Sequence, residues 1–125
     1  MVSPKSLFAR LPEDGYGLIS ADELASRLEE YDVPIILDIR KESDWRLSRI
    51  PGSIHCEWED VGELIEGGGL PEDQDIAVVC YVGQSSGQVT GVLRTLGYAA
   101  YSVLDGFEEW IRSDRPIENG DPEIS

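Results

Sequence analysis

One stretch of the sequence, Ile76 to Gly87, restricts the possible folds more than any other. It begins with four apolar residues, continues through Cys80 into a short segment of small and polar residues, and leads into a helically periodic segment, Val89 to Leu96. Uninterrupted apolar runs of this length are typical of strands that are buried on both faces of a parallel sheet. The stretch therefore predicts a strand, a tight loop and a helix that begins near Ser86.

This pattern places Cys80 at the C-terminal end of a central strand, directly before a helix N-terminus. The first backbone N–H groups of a helix lack intrahelical partners, and the helix dipole makes this end positive. Such a position holds an anion well, and a cysteine there is favoured as the nucleophilic thiolate. We therefore expect Cys80 to be a reactive thiolate rather than an inert core residue.

Helical and strand patterns alternate along the rest of the chain. The predicted order is a helix from Ser20 to about Glu30, a strand from Val33 to Arg40, a helical turn from Glu42 to Arg46, a turn and short strand from Ile50 to His55, a short helix from Trp58 to Ile65, the central strand and its helix, a strand from Ala100 to Leu104 and a helix from Phe107 to Arg112. This alternation predicts an α/β domain with a mostly parallel central sheet and helices on both faces. We expect the domain at residues 18–117, an N-terminal arm at residues 1–17 and an acidic C-terminal tail at residues 118–125.

In sheets of this kind, ligands bind beyond the C-terminal ends of the strands. Cys80 lies at one such end, and Asp38 and Arg40 lie at another. We interpret Asp38 and Arg40 as a structural pair that fixes this rim. The alternative is that Arg40 is a substrate-binding cation, with Asp38 as its structural partner.

The charge balance excludes several classes of partner. The 125 residues include 25 acidic and 10 basic side chains, with a formal net charge of -15. Such a chain has few cations to neutralise phosphates, so we expect no nucleic-acid partner. Without a signal peptide or a spanning apolar run, we expect a cytoplasmic protein with no membrane partner. Two cysteines and one histidine predict no metal site, and we expect no cofactor.

Four stretches, in order, resemble the rhodanese family. They are Leu37-Asp38-Ile39-Arg40 with Trp45 following, Ile50-Pro51-Gly52-Ser53, the loop Cys80-Tyr81-Val82-Gly83-Gln84-Ser85-Ser86, and Asp105-Gly106-Phe107-Glu108-Glu109-Trp110. The loop is similar to that of single-domain thiosulfate sulfurtransferases. The resemblance implies a three-layer α/β/α domain in which Cys80 is the catalytic residue. It would take a sulfane sulfur from a donor such as thiosulfate, become a persulfide, and pass the sulfur to cyanide or to a thiol, including a protein thiol.

The chemistry of the loop agrees with this resemblance. Backbone N–H groups curled around a sulfur stabilise both a thiolate and an anionic persulfide, and we expect them to bind the substrate. The predicted substrate-binding residues are Tyr81, Val82, Gly83, Gln84, Ser85 and Ser86. Gly83 suits a backbone position with positive φ or close packing. Ser85 replaces an arginine that is frequent in the family, and Asp105 replaces the first of two glycines.

Several alternatives remain open at this point. The domain could be a persulfide carrier or an interaction module with little turnover. A phosphatase or arsenate reductase is disfavoured, because that chemistry uses an arginine six residues after the cysteine, where this chain has Ser86. Cys56 is interpreted as a buried thiol at a strand end, with a resolving thiol for Cys80 as the alternative. His55 is interpreted as structural, with a general base as the alternative.

Overall fold

The computed structural model describes residues 3–5 and 17–120, so the predicted arm at residues 1–17 lies almost entirely outside it. In chain order the strands are β1 (Leu18–Ile19), β2 (Ile35–Asp38), β3 (Ser48–Arg49), β4 (Ile54–His55), β5 (Ile76–Val79), β6 (Ala100–Val103) and β7 (Glu118–Asn119). The helices are α1 (Ala21–Glu29), α2 (Glu42–Leu47), α3 (Val61–Glu66), α4 (Gln84–Thr95) and α5 (Gly106–Arg112), and a 3-10 turn, Trp58–Asp60, precedes α3. None of the helices within these described ranges is long and apolar enough to cross a membrane.

Five strands form the central sheet, in the order β1-β6-β5-β2-β4, and each neighbouring pair is parallel. β5 lies in the middle, and all of its residues are buried, as its uninterrupted apolar sequence predicts. The loop that follows β5 therefore leaves the sheet at its centre, between β6 and β2. This is the position from which a loop can be supported by elements on both sides.

The side chains of β2 and β5 alternate between two apolar cores, because successive residues of a strand point to opposite faces. Ile36 and Val79 belong to the first core, which α1 and α5 cover. Leu37 and Val78 belong to the second core, which α3 and α4 cover, and Cys80 lies in this second core as well. The predicted three-layer α/β/α fold is confirmed.

The helix after the central strand begins at Gln84, slightly before the predicted start near Ser86. Its N-cap is Gly83, whose φ of 94° turns the chain directly from the loop into the helix. The apolar periodicity did not reveal this first turn, because Gln84 and Ser85 are polar and exposed. The loop between β5 and α4 is therefore shorter than the sequence pattern predicts.

A second, two-stranded sheet joins β3 to β7 in antiparallel pairing. Arg49 of β3 is buried, forms an ion pair with Glu118 at 3.3 Å and donates a hydrogen bond to the carbonyl oxygen of Gly120 at 2.8 Å. Its guanidinium also lies 4.9 Å from the centre of the Trp45 ring. The first residues of the predicted acidic tail are thus attached to the domain, while residues 121–125 lie outside the described residues.

Candidate active site

The sulfur of Cys80 lies at the point where β5 ends and the loop begins. The residue is 4% exposed. The N–H of Gly83 donates a hydrogen bond to Sγ at 2.9 Å, and Sγ lies 3.3 Å from the hydroxyl oxygen of Ser86. Ser86 is in turn 2.7 Å from the hydroxyl oxygen of Ser102 on β6. Two donors, one from the backbone and one from a side chain, can therefore stabilise negative charge on this sulfur.

The N-terminus of α5 fixes the loop from one side. The carbonyl oxygen of Cys80 accepts a hydrogen bond from the N–H of Phe107 at 2.8 Å, and that of Tyr81 accepts one from Glu108 at 3.1 Å. Gly106 permits this contact, because a Cβ atom there would lie 2.6 Å from the carbonyl oxygens of both Cys80 and Tyr81. The carbonyl groups are thereby held toward α5, and the N–H of Gly83 is left to face the sulfur.

The conformational expectation for Gly83 is confirmed, and Asp105 beside it also has a positive φ. Gly83 has a φ of +94°, and a Cβ atom there would lie 3.3 Å from the backbone nitrogen of Asp105. Asp105 itself adopts a left-handed conformation with φ of 58°. Aspartate is among the few residues other than glycine that adopt this conformation routinely. The departure from the family's paired glycines therefore leaves the turn intact.

The other predicted loop residues lie at the surface around the sulfur. Val82, Gln84 and Ser85 are exposed. The Tyr81 hydroxyl donates a hydrogen bond to the Asp44 carboxylate and accepts one from the backbone N–H of Lys41 at 3.2 Å. Partial burial and the bond to Asp44 raise the pKa of Tyr81 above its ordinary value. Tyr81 is therefore favoured in its neutral form, and its hydroxyl connects the loop to α2.

Arg40 is buried instead of facing the loop opening. It forms an ion pair with Asp38 at 2.8 Å, and its Nε donates to both carboxylate oxygens at 3.0 and 3.1 Å. Its Nη2 also donates to the carbonyl oxygen of Ser48 at 2.7 Å, and its guanidinium lies 3.9 Å from the centre of the Phe107 ring. This geometry favours the structural interpretation of both residues. It does not support the alternative role of Arg40 as a substrate-binding cation.

Cys56 lies on the same rim as Cys80 but not beside it. The N–H of Cys56 donates to the carbonyl oxygen of Asp38, and the N–H of Ile39 donates to that of Val79. This register puts Ile39 between the two cysteines. With strands about 4.8 Å apart, the Cα atoms of the cysteines are roughly 9–10 Å apart. A disulfide requires about 4.4–6.8 Å, so the geometry does not favour Cys56 as a resolving thiol.

Burial, and then the carboxylates of Asp60, Glu57 and Glu63, raise the pKa of the Cys56 thiol above its ordinary value. Cys56 is therefore favoured as a neutral thiol.

His55 donates a hydrogen bond from Nε2 to the carbonyl oxygen of Arg40 at 2.6 Å, and its ring packs against Trp45. These contacts favour the structural interpretation of His55.

No group of three or more metal-ligating side chains could hold an ion in residues 3–5 and 17–120.

Ser102 is the residue at this site that sequence reasoning missed. It is 3% exposed, and it is a polar residue in the otherwise apolar strand β6. A buried hydroxyl needs a hydrogen-bond partner, so a serine within such a strand is a signal that could have been followed. Its partner, Ser86, comes from α4 and is 0% exposed. Only the pairing of β5 with β6 brings the two hydroxyls together.

A cleft of about 460 Å³ opens between α3 and α4, next to the loop. One wall contains Trp58, Val61 and Ile65, and the other contains Val92 and Leu96. Ser85 also lines the cleft, and it directly precedes Ser86 in the chain. The cleft is therefore a largely apolar groove that reaches the first turn of α4. This turn contains Ser86, whose hydroxyl contacts the Cys80 sulfur.

Comparisons with known proteins agree with this architecture. A family model described as a rhodanese-like domain matches residues 20–113. The thiosulfate sulfurtransferase GlpE of Pseudomonas fluorescens is 36% identical over 104 residues, which cover 81% of this chain and 92% of that protein. The GlpE of Actinobacillus succinogenes is 34% identical over 85 residues, which cover 67% of this chain and 75% of that protein.

Solved structures give the same result. The rhodanese-like domain of an Anabaena protein superimposes with a TM-score of 0.72 at 28% identity, covering 82% of this chain and 79% of that one. A rhodanese-related protein of Thermoplasma volcanium has a TM-score of 0.72 at 25% identity, covering 81% of this chain and 96% of that one. The chain belongs to the rhodanese-like domain family.

Proposed function

We propose that this protein is a thiosulfate sulfurtransferase that moves sulfane sulfur through a persulfide on Cys80. The observation that carries the proposal is the position of the Cys80 sulfur, which is 2.9 Å from the N–H of Gly83 and 3.3 Å from the hydroxyl of Ser86. Both groups can donate to a sulfur anion. The GlpE relatives, which are named thiosulfate sulfurtransferases, support the choice of donor.

The first half-reaction loads the sulfur. The Cys80 thiolate attacks the outer sulfur of thiosulfate, a new S–S bond forms, and the bond between the two sulfurs of thiosulfate breaks. Sulfite leaves with the electron pair of that bond, and Cys80 carries an anionic persulfide. The total charge is the same before and after the step. Because the reactant and the product are both sulfur anions at residue 80, the Gly83 N–H and the Ser86 hydroxyl can stabilise the negative charge throughout the step.

The second half-reaction unloads the sulfur. A nucleophile such as cyanide attacks the terminal sulfur of the persulfide, the S–S bond breaks, and Cys80 leaves as a thiolate. With cyanide the product is thiocyanate. The Gly83 N–H and the Ser86 hydroxyl stabilise the leaving thiolate, which has the same environment as the attacking thiolate of the first half-reaction. The cycle needs no metal, cofactor or external oxidant.

The surrounding residues divide into two groups. Val82 on the loop and Gln84 and Ser85 in the first turn of α4 are exposed, and the first N–H groups of a helix, which lack intrahelical partners, can bind an anionic donor. Asp38 and Arg40 are paired in the interior and support the rim. In this assignment the donor is held by backbone groups and the N-terminus of α4, which replace the arginine that is frequent in the family at the position of Ser85.

The test is a mass measurement on the intact protein. After incubation with thiosulfate, we expect a gain of one sulfur atom on Cys80, and a chase with cyanide should remove it and release thiocyanate. Cys80→Ser should abolish both signals, while the matched variant Cys56→Ser should retain them. A sulfur adduct that persists in Cys80→Ser would contradict the proposal.

The persulfide measurement and a phosphatase assay together separate the alternatives. A persulfide that forms on Cys80 but is released only slowly to cyanide, and rapidly to thiols, would identify a carrier. Hydrolysis of a small aryl phosphate that is lost in Cys80→Ser would favour phosphatase chemistry instead. We expect no such hydrolysis, because the position six residues after Cys80 is Ser86, whose hydroxyl contacts the sulfur and Ser102.

A further inference from the structure

The groove between α3 and α4 starts at the active loop and runs away from it. Ser85 lines its near end, and Leu96 lines its far end. These residues are eleven positions apart, so the groove follows α4 for about 16 Å at a rise of about 1.5 Å per residue. Val89, Val92 and Leu96 recur at helical spacing along this wall. A partner that lies in the groove would reach Ser85, the neighbour of Ser86, whose hydroxyl oxygen lies 3.3 Å from the Cys80 sulfur.

The groove exposes apolar side chains that the fold does not need to expose. Trp58, Val92 and Leu96 are 59%, 61% and 55% exposed, respectively. The exposed residues of α4 are all uncharged, although 28% of the chain is charged. The wall that α4 contributes to the groove therefore offers a partner apolar and uncharged contacts.

The opposite wall carries negative charge. Gly62 lines the groove, and Glu59 and Glu66 are exposed at positions three before it and four after it. Side chains at these spacings lie on the same side of a helical segment. The apolar floor is therefore bordered by two carboxylates, which would attract Lys or Arg residues on a partner.

We propose that this groove is the docking surface for a protein partner that exchanges sulfur with Cys80, and that the partner presents apolar side chains flanked by lysine or arginine beside a reactive thiol. The inference rests on the proposed function, which it extends to the identity of the acceptor. Apolar contacts give the complex its affinity, and the carboxylates of Glu59 and Glu66 select the cationic partner and orient it.

Two other occupants fit less well. A second copy of the chain would bring two net charges of -15 together and would present carboxylates to carboxylates. A small ligand would fit a volume of about 460 Å³, but among the described residues that line this cleft the polar ones are Ser85 and Gln88. Pockets for small molecules usually have several converging polar groups that fix the ligand's orientation.

The transfer step balances without another reactant. The partner's thiol gives its proton to the terminal sulfur of the anionic Cys80 persulfide, and its own sulfur attacks that terminal sulfur. The S–S bond to Cys80 breaks, and its electron pair leaves with Cys80 as a thiolate. The partner now carries the protonated persulfide, and Cys80 is ready for another donor.

The experiment uses two synthetic peptides with the same apolar residues and a single cysteine, one with lysine and arginine at its flanking positions and the other with glutamate. The full-length protein is loaded with thiosulfate, and sulfur transfer to each peptide is followed by mass spectrometry. We expect the cationic peptide to accept sulfur roughly tenfold faster or more, as for other electrostatically steered encounters. Cyanide serves as the acceptor that needs no groove.

Two double variants test the apolar residues of the groove separately from the carboxylates that border it. Val92→Gln with Leu96→Gln should reduce transfer to the cationic peptide to the rate of 2-mercaptoethanol. Glu59→Gln with Glu66→Gln should reduce the preference between the peptides by more than an equal loss of charge elsewhere does. Turnover with cyanide should stay unchanged in both. The matched controls lie on the other face of the sheet: Ile111→Gln on α5 should have no effect, and Glu29→Gln with Glu30→Gln at the end of α1 should show only the smaller effect of the same change in net charge.

Five outcomes would overturn the proposal. Equal rates for the two peptides, or groove variants that behave as the unmodified protein, would remove the docking role while persulfide formation remained. Dimerisation in solution that is lost in the Val92 and Leu96 variant would assign the groove to a second copy. A neutral alkyl thiol that is accelerated as strongly as the peptide would assign it to a small molecule. Absence of any persulfide from thiosulfate would overturn both this inference and the proposed function.

Discussion

The hydroxyl oxygen of Ser86 lies 2.7 Å from that of Ser102, and both side chains are buried. Ser86 also lies 3.3 Å from the sulfur of Cys80, so the three polar groups form a chain that leads from the sulfur into the sheet. When Cys80 is a thiol, its S–H can donate to Ser86. When it is a thiolate, Ser86 donates to the sulfur and Ser102 can donate to Ser86, which strengthens the first bond.

Ser102→Ala should therefore weaken the hydrogen bond from Ser86 to the Cys80 thiolate, although it leaves the groups that contact the sulfur in place. We expect the alkylation rate of Cys80 near neutral pH to fall about threefold to tenfold, as part of the roughly 1.5–3 kcal/mol of a hydrogen bond to a charged group. The control is Thr90→Val, which removes a buried hydroxyl of α4 that has no hydrogen-bond partner in the described part of the chain. Equal alkylation rates for both variants would refute the relay.

Gly106→Ala should displace the active loop. The added Cβ atom would lie 2.6 Å from the carbonyl oxygens of Cys80 and Tyr81, and the residue has a φ of +64°. We expect strong destabilisation and loss of persulfide formation, measured by thermal unfolding and by mass. Gly68→Ala is the control, because its φ is +75° but a Cβ atom there meets nothing within 4 Å. It should cost only the backbone strain of about 1–2 kcal/mol.

Arg40→Ala should reduce stability more than it affects the binding of thiosulfate. The substitution leaves the Asp38 carboxylate buried without its ion-pair partner, which typically costs about 3–5 kcal/mol. Denaturant unfolding measures this loss, and we expect an unchanged Michaelis constant for thiosulfate in the folded protein. Arg112→Ala, which breaks an exposed ion pair with Glu109, should cost about 0.2–0.5 kcal/mol. A raised Michaelis constant with unchanged stability would restore Arg40 as a substrate-binding residue.

The parts of the fold that could be predicted are those that depend on local sequence. The apolar run before Cys80 predicts a central strand, and the residues after it predict a helix, because burial and periodicity are visible within a few residues. The position of Cys80 at a strand end follows from the same pattern. Gly83 was correctly expected to need a special backbone conformation, since glycine is the residue that adopts positive φ at no steric cost.

The parts that could not be predicted depend on residues that are distant in sequence. Arg40 follows a strand as expected, but its direction is set by contacts with Asp38, Ser48 and the Phe107 ring. Ser102 meets Ser86 only because β6 pairs with β5. Patterns within one segment do not specify such contacts, so the charged and polar contacts of the site could be identified only from the structure.

Cys56 should react far more slowly than Cys80 with an alkylating reagent at neutral pH. Burial and neighbouring carboxylates raise the pKa of Cys56, so its thiolate is scarce at neutral pH and increases as the pH rises through the raised pKa. Mass spectrometry of partly alkylated protein measures both rates. Asp60→Asn with Glu63→Gln should speed alkylation of Cys56 at fixed pH and leave Cys80 unchanged. Formation of a disulfide between the two cysteines under mild peroxide would contradict the separation that we infer from the strand register.

Salt should accelerate the reaction with thiosulfate. The donor is a dianion that approaches a protein with a net charge of -15, and Arg40 and Arg49 are buried in ion pairs. Repulsion therefore acts at long range, and raising the salt concentration from about 0.1 to 1 M shortens the Debye length from about 10 to 3 Å.

We expect the second-order rate constant of persulfide formation to rise over this range in stopped-flow or quenched-flow measurements. A neutral organic trisulfide, which donates the same kind of sulfur without carrying charge, is the matched control and should react at a rate that is nearly independent of salt. If salt instead slowed the reaction with thiosulfate, the local attraction of the loop N–H groups and the α4 N-terminus would exceed the repulsion of the whole acidic surface. Comparing the two donors in the same buffers removes any effect of salt on the stability of the fold, because that effect would change both rates alike.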